Sequence, residues 1–139
     1  LTRIFTALLS EILSVVLNFS KGMNDLIFKI ALTLVPKVGP VTARQLLSYA
    51  GSPEEVFRCS KRALMRIPGI GPSIAESICS QSVLHDAEKE LQTLMRHGVK
   101  PVFITDEAYP GRLRHFPDSP LLLFFQGNTD LNPARCISV

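Results

Sequence analysis

Two short stretches of this chain carry residue types suited to holding a phosphate. Arg66-Ile67-Pro68-Gly69-Ile70-Gly71-Pro72-Ser73-Ile74-Ala75 reads as a helix ending, a tight hairpin and a second helix opened by Pro72. Proline suits the first helical turn, where its missing N–H has no partner to lose. Glycine suits a hairpin whose backbone must enter φ > 0 or lie close to another molecule. The newly opened helix points unpaired N–H groups and a partial positive charge outward, which attracts an anion. Val35-Pro36-Lys37-Val38-Gly39-Pro40-Val41-Thr42-Ala43 repeats the pattern, since Pro36 to Pro68, Gly39 to Gly71 and Ala43 to Ala75 share an offset of 32. Lys37 stands where the second copy has Gly69, so the first hairpin loses a permissive residue and gains a cation.

Other chemistries find little to work with. His85, His97 and His115 have no metal-ligand spacing, and the three cysteines, Cys59, Cys79 and Cys136, form no C-x-x-C. Their odd number and wide spacing point to a reducing cytosol, with neither a disulfide framework nor a zinc site. There is no phosphate-loop signature, and Gly69-x-Gly71 lacks the third glycine and preceding strand of a dinucleotide fingerprint. No serine, cysteine or carboxylate is set up as nucleophile or base. The chain therefore reads as a non-enzyme without cofactor or metal.

The elements that must position the hairpins are helical. Leu26, Ile27, Ile30, Ala31 and Leu34 recur at helical spacing up to Pro36. The helix opened by Pro40 stops at Gly51. Ser52-Pro53-Glu54-Glu55 restarts it as N-cap, first-turn proline and capping box. Ser60 caps a further short helix, Lys61 to Ile67, leading into the second hairpin. A longer helix over 82–97 presents Leu84, Ala87, Leu91, Leu94 and Met95, and Gly98 ends it. Val38, Ile70, Ala43 and Ala75 are expected in the core. Then the texture changes to apolar runs at 101–104 and 121–125, with a third beginning at 135–139. A helix followed by short apolar strands suggests the start of an α/β sheet covered on both faces.

The first 22 residues are harder to place. Arg3 and an apolar run have the outline of a signal peptide, but Glu11 interrupts it and no small-residue cleavage site follows. The unbroken apolar runs fall short of the ~20 residues of a membrane span. We expect residues 1–22 to be a non-native extension, the natural start being Met23, and expect no membrane contact. Net charge is +3 over 139 residues. Residues 23–100 hold ten Lys/Arg against seven Asp/Glu, and residues 101–139 three against four, so the basic excess lies with the hairpins. That permits nucleic-acid binding without requiring it.

The doubled pattern resembles the helix-hairpin-helix element of DNA-binding proteins that do not read sequence. By that resemblance, the backbone around Lys37, Val38, Gly39 and Val41, and around Gly69, Ile70, Gly71 and Ser73, meets DNA phosphates, positioning the protein without reading bases. Arg44, Lys61, Arg62 and Arg66 are the flanking cations, adding salt-sensitive attraction. Two rival readings stay open: a protein-interaction domain whose hairpins only pack helices, and a repair-protein module of nuclease or glycosylase type.

The resemblance extends further. Tandem hairpins, a helix, Lys100-Pro-Val-Phe-Ile-Thr-Asp, Tyr109-Pro110, Pro120-Leu-Leu-Leu-Phe-Phe with Gly127, and a final Cys-Ile-Ser-Val together resemble the N-terminal part of the DNA-processing protein A family (DprA, also called Smf) over Met23 to Val139. The resemblance implies an α+β chain: an all-helical SAM-like tandem helix-hairpin-helix domain over 23–97, then the first strands of an incomplete Rossmann-like domain over 98–139. It implies a cytoplasmic bacterial protein that handles incoming single-stranded DNA during natural transformation and helps load the RecA recombinase. The family's single-strand contacts centre on a Gly-Ser/Thr-Arg segment following the strand at 135–139. We expect the chain to be truncated before that segment, and before the sheet that carries the family's homodimer surface. What it keeps is an accessory module with weak, sequence-independent DNA binding.

Overall fold

The structure is a computed structural model and describes residues 2–137. Its first element, α1, runs unbroken over Thr2–Leu34 for 33 residues. The helix passes through Met23 without a break. Gly22 sits inside the helix at a cost of about 1 kcal/mol, and no proline interrupts the chain before Pro36. The C-terminal third of α1 enters the core through Ile30, Ala31 and Leu32, while residues 3–22 project beyond it with their side chains largely exposed.

Five shorter helices follow: α2 (Pro40–Ala50), α3 (Pro53–Arg58), α4 (Lys61–Leu64), α5 (Pro72–Ser80) and α6 (Ser82–Arg96). Their ends obey local chemistry. Gly51 terminates α2 at φ 91, its N–H returning to the Leu47 carbonyl. Ser52 accepts the Glu55 N–H at the start of α3, and Ser60 accepts the Ala63 N–H at the start of α4. The fourth helix is shorter than expected, giving way to turns closed by Ala63 to Arg66 and Leu64 to Ile67. Pro68 accounts for the loss of Ile67 from the helix, because a residue before proline is pushed out of the helical region. Gln81, in the left-handed region at φ 54, closes α5 and opens α6, and its Nε2 donates to the Phe57 carbonyl.

Between these helices lies a core of Ala43, Leu46, Val56, Phe57, Leu64, Ile70, Ala75 and Ile78 with the end of α1. Phe28 and Phe57 join α1 to α3, ring centroids 5.8 Å apart. On α6 the buried residues are Val83, Ala87, Leu91 and Leu94, whereas Leu84 is only half-buried and Met95 is exposed. The inward stripe is thus turned slightly from the expected one.

Among the described residues two strands follow, β1 (Lys100–Phe103) and β2 (Leu122–Phe125), with the single-turn helix α7 (Gly111–Arg114) between them. They pair antiparallel, Lys100 facing Phe125 and Phe103 facing Leu122. An α/β sheet of the expected kind pairs neighbours in parallel through a crossover that packs on the sheet, and α7 is one turn long. The face is also half open, since Phe124 is exposed. Residues 135–137 form no strand, and the remainder of the expected third strand, Ser138 and Val139, lies outside the described residues.

The connection is ordered instead by its own polar and aromatic groups. Tyr109 is fully buried and its hydroxyl donates to the Pro120 carbonyl at 2.7 Å. Asp106 accepts the Phe103 N–H and the Lys29 ammonium, each at 2.8 Å, fastening the segment to α1. Lys29 also bonds Asp25 and lies 5.4 Å from the Phe103 ring centroid. Burial alone would lower its pKa, but the hydrogen bonds and charges of Asp106 and Asp25 prevail and raise it.

Lys29→Met should therefore lower stability by about 1–3 kcal/mol near neutral pH. A lysine whose folded pKa is raised stabilises fully below its usual value of 10.5 and loses that contribution as pH climbs through the folded value. The melting-temperature gap between wild type and Lys29→Met should narrow in strongly alkaline buffer. A gap that widens there would contradict the assignment.

Candidate nucleic-acid interface

The two hairpins share one backbone geometry. In the second, Gly69 takes φ 81; in the first, Lys37 takes φ 66, the conformation glycine would adopt at no cost. The N-caps match as closely, Gly39 at φ −89 and ψ 179, Gly71 at φ −85 and ψ 172. Each hairpin closes on one internal bond, Val38 N–H to the Val35 carbonyl and Ile70 N–H to the Ile67 carbonyl. Those two amides are consumed by the turn, and Ile70 is buried in the core, so Val38 and Ile70 shape the hairpins without offering a donor.

The donors lie one step further on. No side chain caps α2 or α5, which leaves the first-turn amides, those of Val41 and Ser73 among them, without intrahelical partners. Gly39 and Gly71 have extended backbone that any residue adopts, and a Cβ at either would meet nothing within 4 Å. The fold itself does not demand glycine at these two N-caps. Their bareness leaves the helix starts open to close approach from outside.

The hairpins also adjoin one another. Lys37 Nζ donates to Ser73 Oγ at 3.4 Å, tying the cation of the first hairpin to the helix start of the second. Gln45 of α2 reaches the second hairpin as well, its Oε1 lying 3.7 Å from where a Cβ of Gly69 would sit. Gln45 escaped the sequence reading because nothing in the repeat marks it.

The flanking cations divide. Arg62 and Arg66 are exposed, and no ion pair among the described residues engages them. Lys61 is paired with Glu76 of α5 at 3.6 Å. Arg44 is turned away: its Nη1 donates to the Arg114 carbonyl at 3.3 Å and its Nε and Nη2 are buried. The end of α7 thus claims a guanidinium that adjacency to the hairpin had assigned to DNA. Among the described residues, no group of three or more His, Cys, Asp or Glu side chains is placed to hold a metal.

Comparison with known proteins bears on this arrangement. Residues 29–82, which include both hairpins, match the model of the SAM-like helix-hairpin-helix tandem family. The match takes in α2 to α5 and the end of α1. A 55-residue stretch is 36% identical to UvrABC system protein C of Acinetobacter baylyi, covering 40% of this chain and 9% of that protein. No solved structure matches the chain. The shared domain points to DNA binding, which agrees with two open helix starts beside exposed cations.

Proposed function

We propose that the tandem domain is a non-catalytic module that binds the DNA backbone without regard to sequence, through both hairpins at once. The observation that carries this reading is the pairing itself. Two hairpins of equal backbone geometry, each with an open glycine N-cap, are joined by the Lys37–Ser73 contact. Helix N-termini of this kind hold phosphate oxygens, and Lys37, Arg62 and Arg66 supply charge without base readout.

The test is a salt titration of the full chain against two unrelated mixed-sequence duplexes. Equal affinities are expected, with log Kd rising by about 3 per tenfold increase in salt if three cations neutralise phosphates. A strong preference for one sequence would count against the proposal. The loss of Arg44 and Lys61 to internal partners keeps the rival reading in view, that of a protein-interaction domain whose hairpins only pack helices. Absence of any salt-sensitive DNA binding would favour that rival.

A finer role is part of the same proposal: a DprA-type protein acting on incoming single-stranded DNA and aiding RecA loading. It rests on the segment resemblance, and the hydrogen bond joining Tyr109 of the Tyr-Pro segment to Pro120 of the Pro-Leu-Leu-Leu-Phe-Phe segment is consistent with those two segments forming one unit. Restoration of transformation by the intact gene in a strain lacking its DprA would test it, and failure to restore would remove this finer role alone.

A further inference from the structure

Residues 3–22 of α1 present an apolar face that nothing in the folded domain covers. Phe5, Leu9, Ile12, Val16 and Phe19 recur at alternating intervals of four and three, and each is more than half exposed. This is the spacing of a helix–helix seam. It continues in register through Met23, Leu26 and Ile30, and those three are packed into the domain. One seam therefore runs the length of α1: its C-terminal part is covered, chiefly by α6, and its N-terminal part is bare.

The point where the cover ends is specific. The C-terminal end of α6 and the start of β1 leave an apolar groove against α1, lined by Phe19, Met23, Leu26, Leu91, Met95 and Val99. We infer that a second copy of this chain covers the bare seam, the two α1 helices packing antiparallel about a twofold axis. In the register that keeps seam residues opposite one another, Ile12 faces Val16 of the second copy, Leu9 faces its Phe19, and Phe5 faces its Met23. The start of each α1 then reaches the groove of the other chain and continues the layer that α6 leaves off. A twofold interface is self-complementary in this way.

Lipid is the other candidate, because Arg3–Leu34 contains a stretch long and apolar enough to cross a membrane by length and composition. Two observations favour the second copy. Arg3, Thr6, Ser10, Ser14 and Lys21 fall along one side of the helix, interrupted there by Leu17, with Glu11 and Asn18 at its margin. A lone span would expose these groups, Glu11 near its middle, to hydrocarbon. Lying flat on a bilayer is opposed by the domain body, which sits on the same side of α1 as the apolar seam.

The test uses the full chain in solution. Light scattering across a concentration series should show a dimer, and Leu9→Glu with Val16→Glu should raise its dissociation constant about tenfold or more, because both replace desolvated seam residues. Ser10→Glu with Ser14→Glu, on the opposite side, should leave it within about twofold. A Leu9→Cys, Phe19→Cys variant probes the register. Ten residues apart on one helix, about 15 Å, these thiols cannot meet within a chain, so oxidation should link residue 9 of one copy to residue 19 of the other. A monomer over the whole series with α1 still helical by circular dichroism would overturn the inference. So would 9-to-9 and 19-to-19 links, or flotation of the chain as a monomer with phosphatidylcholine–phosphatidylglycerol vesicles.

Discussion

Replacing Gly71 with valine together with Lys37 with glutamate is expected to weaken binding to mixed-sequence duplex DNA by about tenfold to a hundredfold, the range that follows from losing the equivalent of one charge-assisted contact. The fold should survive. Gly71 has extended backbone and a Cβ there meets nothing within 4 Å, so valine fills only the space through which a phosphate would approach. At Lys37 the change reverses charge beside Ser73 and leaves the core untouched. Fluorescence anisotropy over a salt series measures the binding, and a melting curve over the same variant reports the fold. Unchanged, salt-dependent affinity in a well-folded variant would transfer the hairpins to a packing role.

Lys37→Gly sharpens the point by separating stability from binding. A lysine at φ 66 carries a left-handed backbone cost that glycine does not, so the substitution should stabilise the domain by about 1 kcal/mol. The exposed Lys37–Ser73 contact at 3.4 Å offsets little of this. Affinity for DNA should nonetheless fall. A residue kept where it costs stability and contributes to binding has a functional explanation; one whose removal improves both does not.

The largest loss of stability is expected at Tyr109. Tyr109→Ala should cost about 3–5 kcal/mol, as for other large buried aromatics. Its ring is fully buried, Arg114 stacks 5.8 Å from its centroid, and its hydroxyl satisfies the Pro120 carbonyl. Tyr109→Phe keeps the ring and should cost about 1–3 kcal/mol for the carbonyl left without its partner. Urea denaturation measures both. Equal costs for the two variants would show that the hydroxyl, and not the ring, holds the connection together.

How much of this was legible beforehand depended on how local each signal was. The hairpins were readable because Pro36, Gly39, Pro68 and Gly71 act on their own backbone, and Ser52 and Ser60 were readable as caps for the same reason. Gln81, which turns the chain between α5 and α6, carried no such mark. The contact of Arg44 had no local sign, since its partner lies 70 residues away at Arg114. Strand direction was likewise out of reach, since it depends on how the segment from Ile104 to Leu121 folds, and that rests on Tyr109 and Asp106. In α1 the error was one of measure: counting unbroken apolar runs hid a face that polar residues interrupt in sequence but not in space.

The unbroken course of α1 has a kinetic meaning of its own. A free helix must first form a turn at considerable entropic expense before it can grow, so that most helical stability in proteins comes from tertiary packing. Here the folded core holds Ile30, Ala31 and Leu32 in helical geometry and so supplies that first turn. Residues upstream need only add to an existing end, one hydrogen bond at a time, from Met23 back toward Thr2. At dilutions where the chain is monomeric, amide exchange along α1 should accordingly form a gradient, slowest beside the core and fastest at the far end, in place of a step at any single residue.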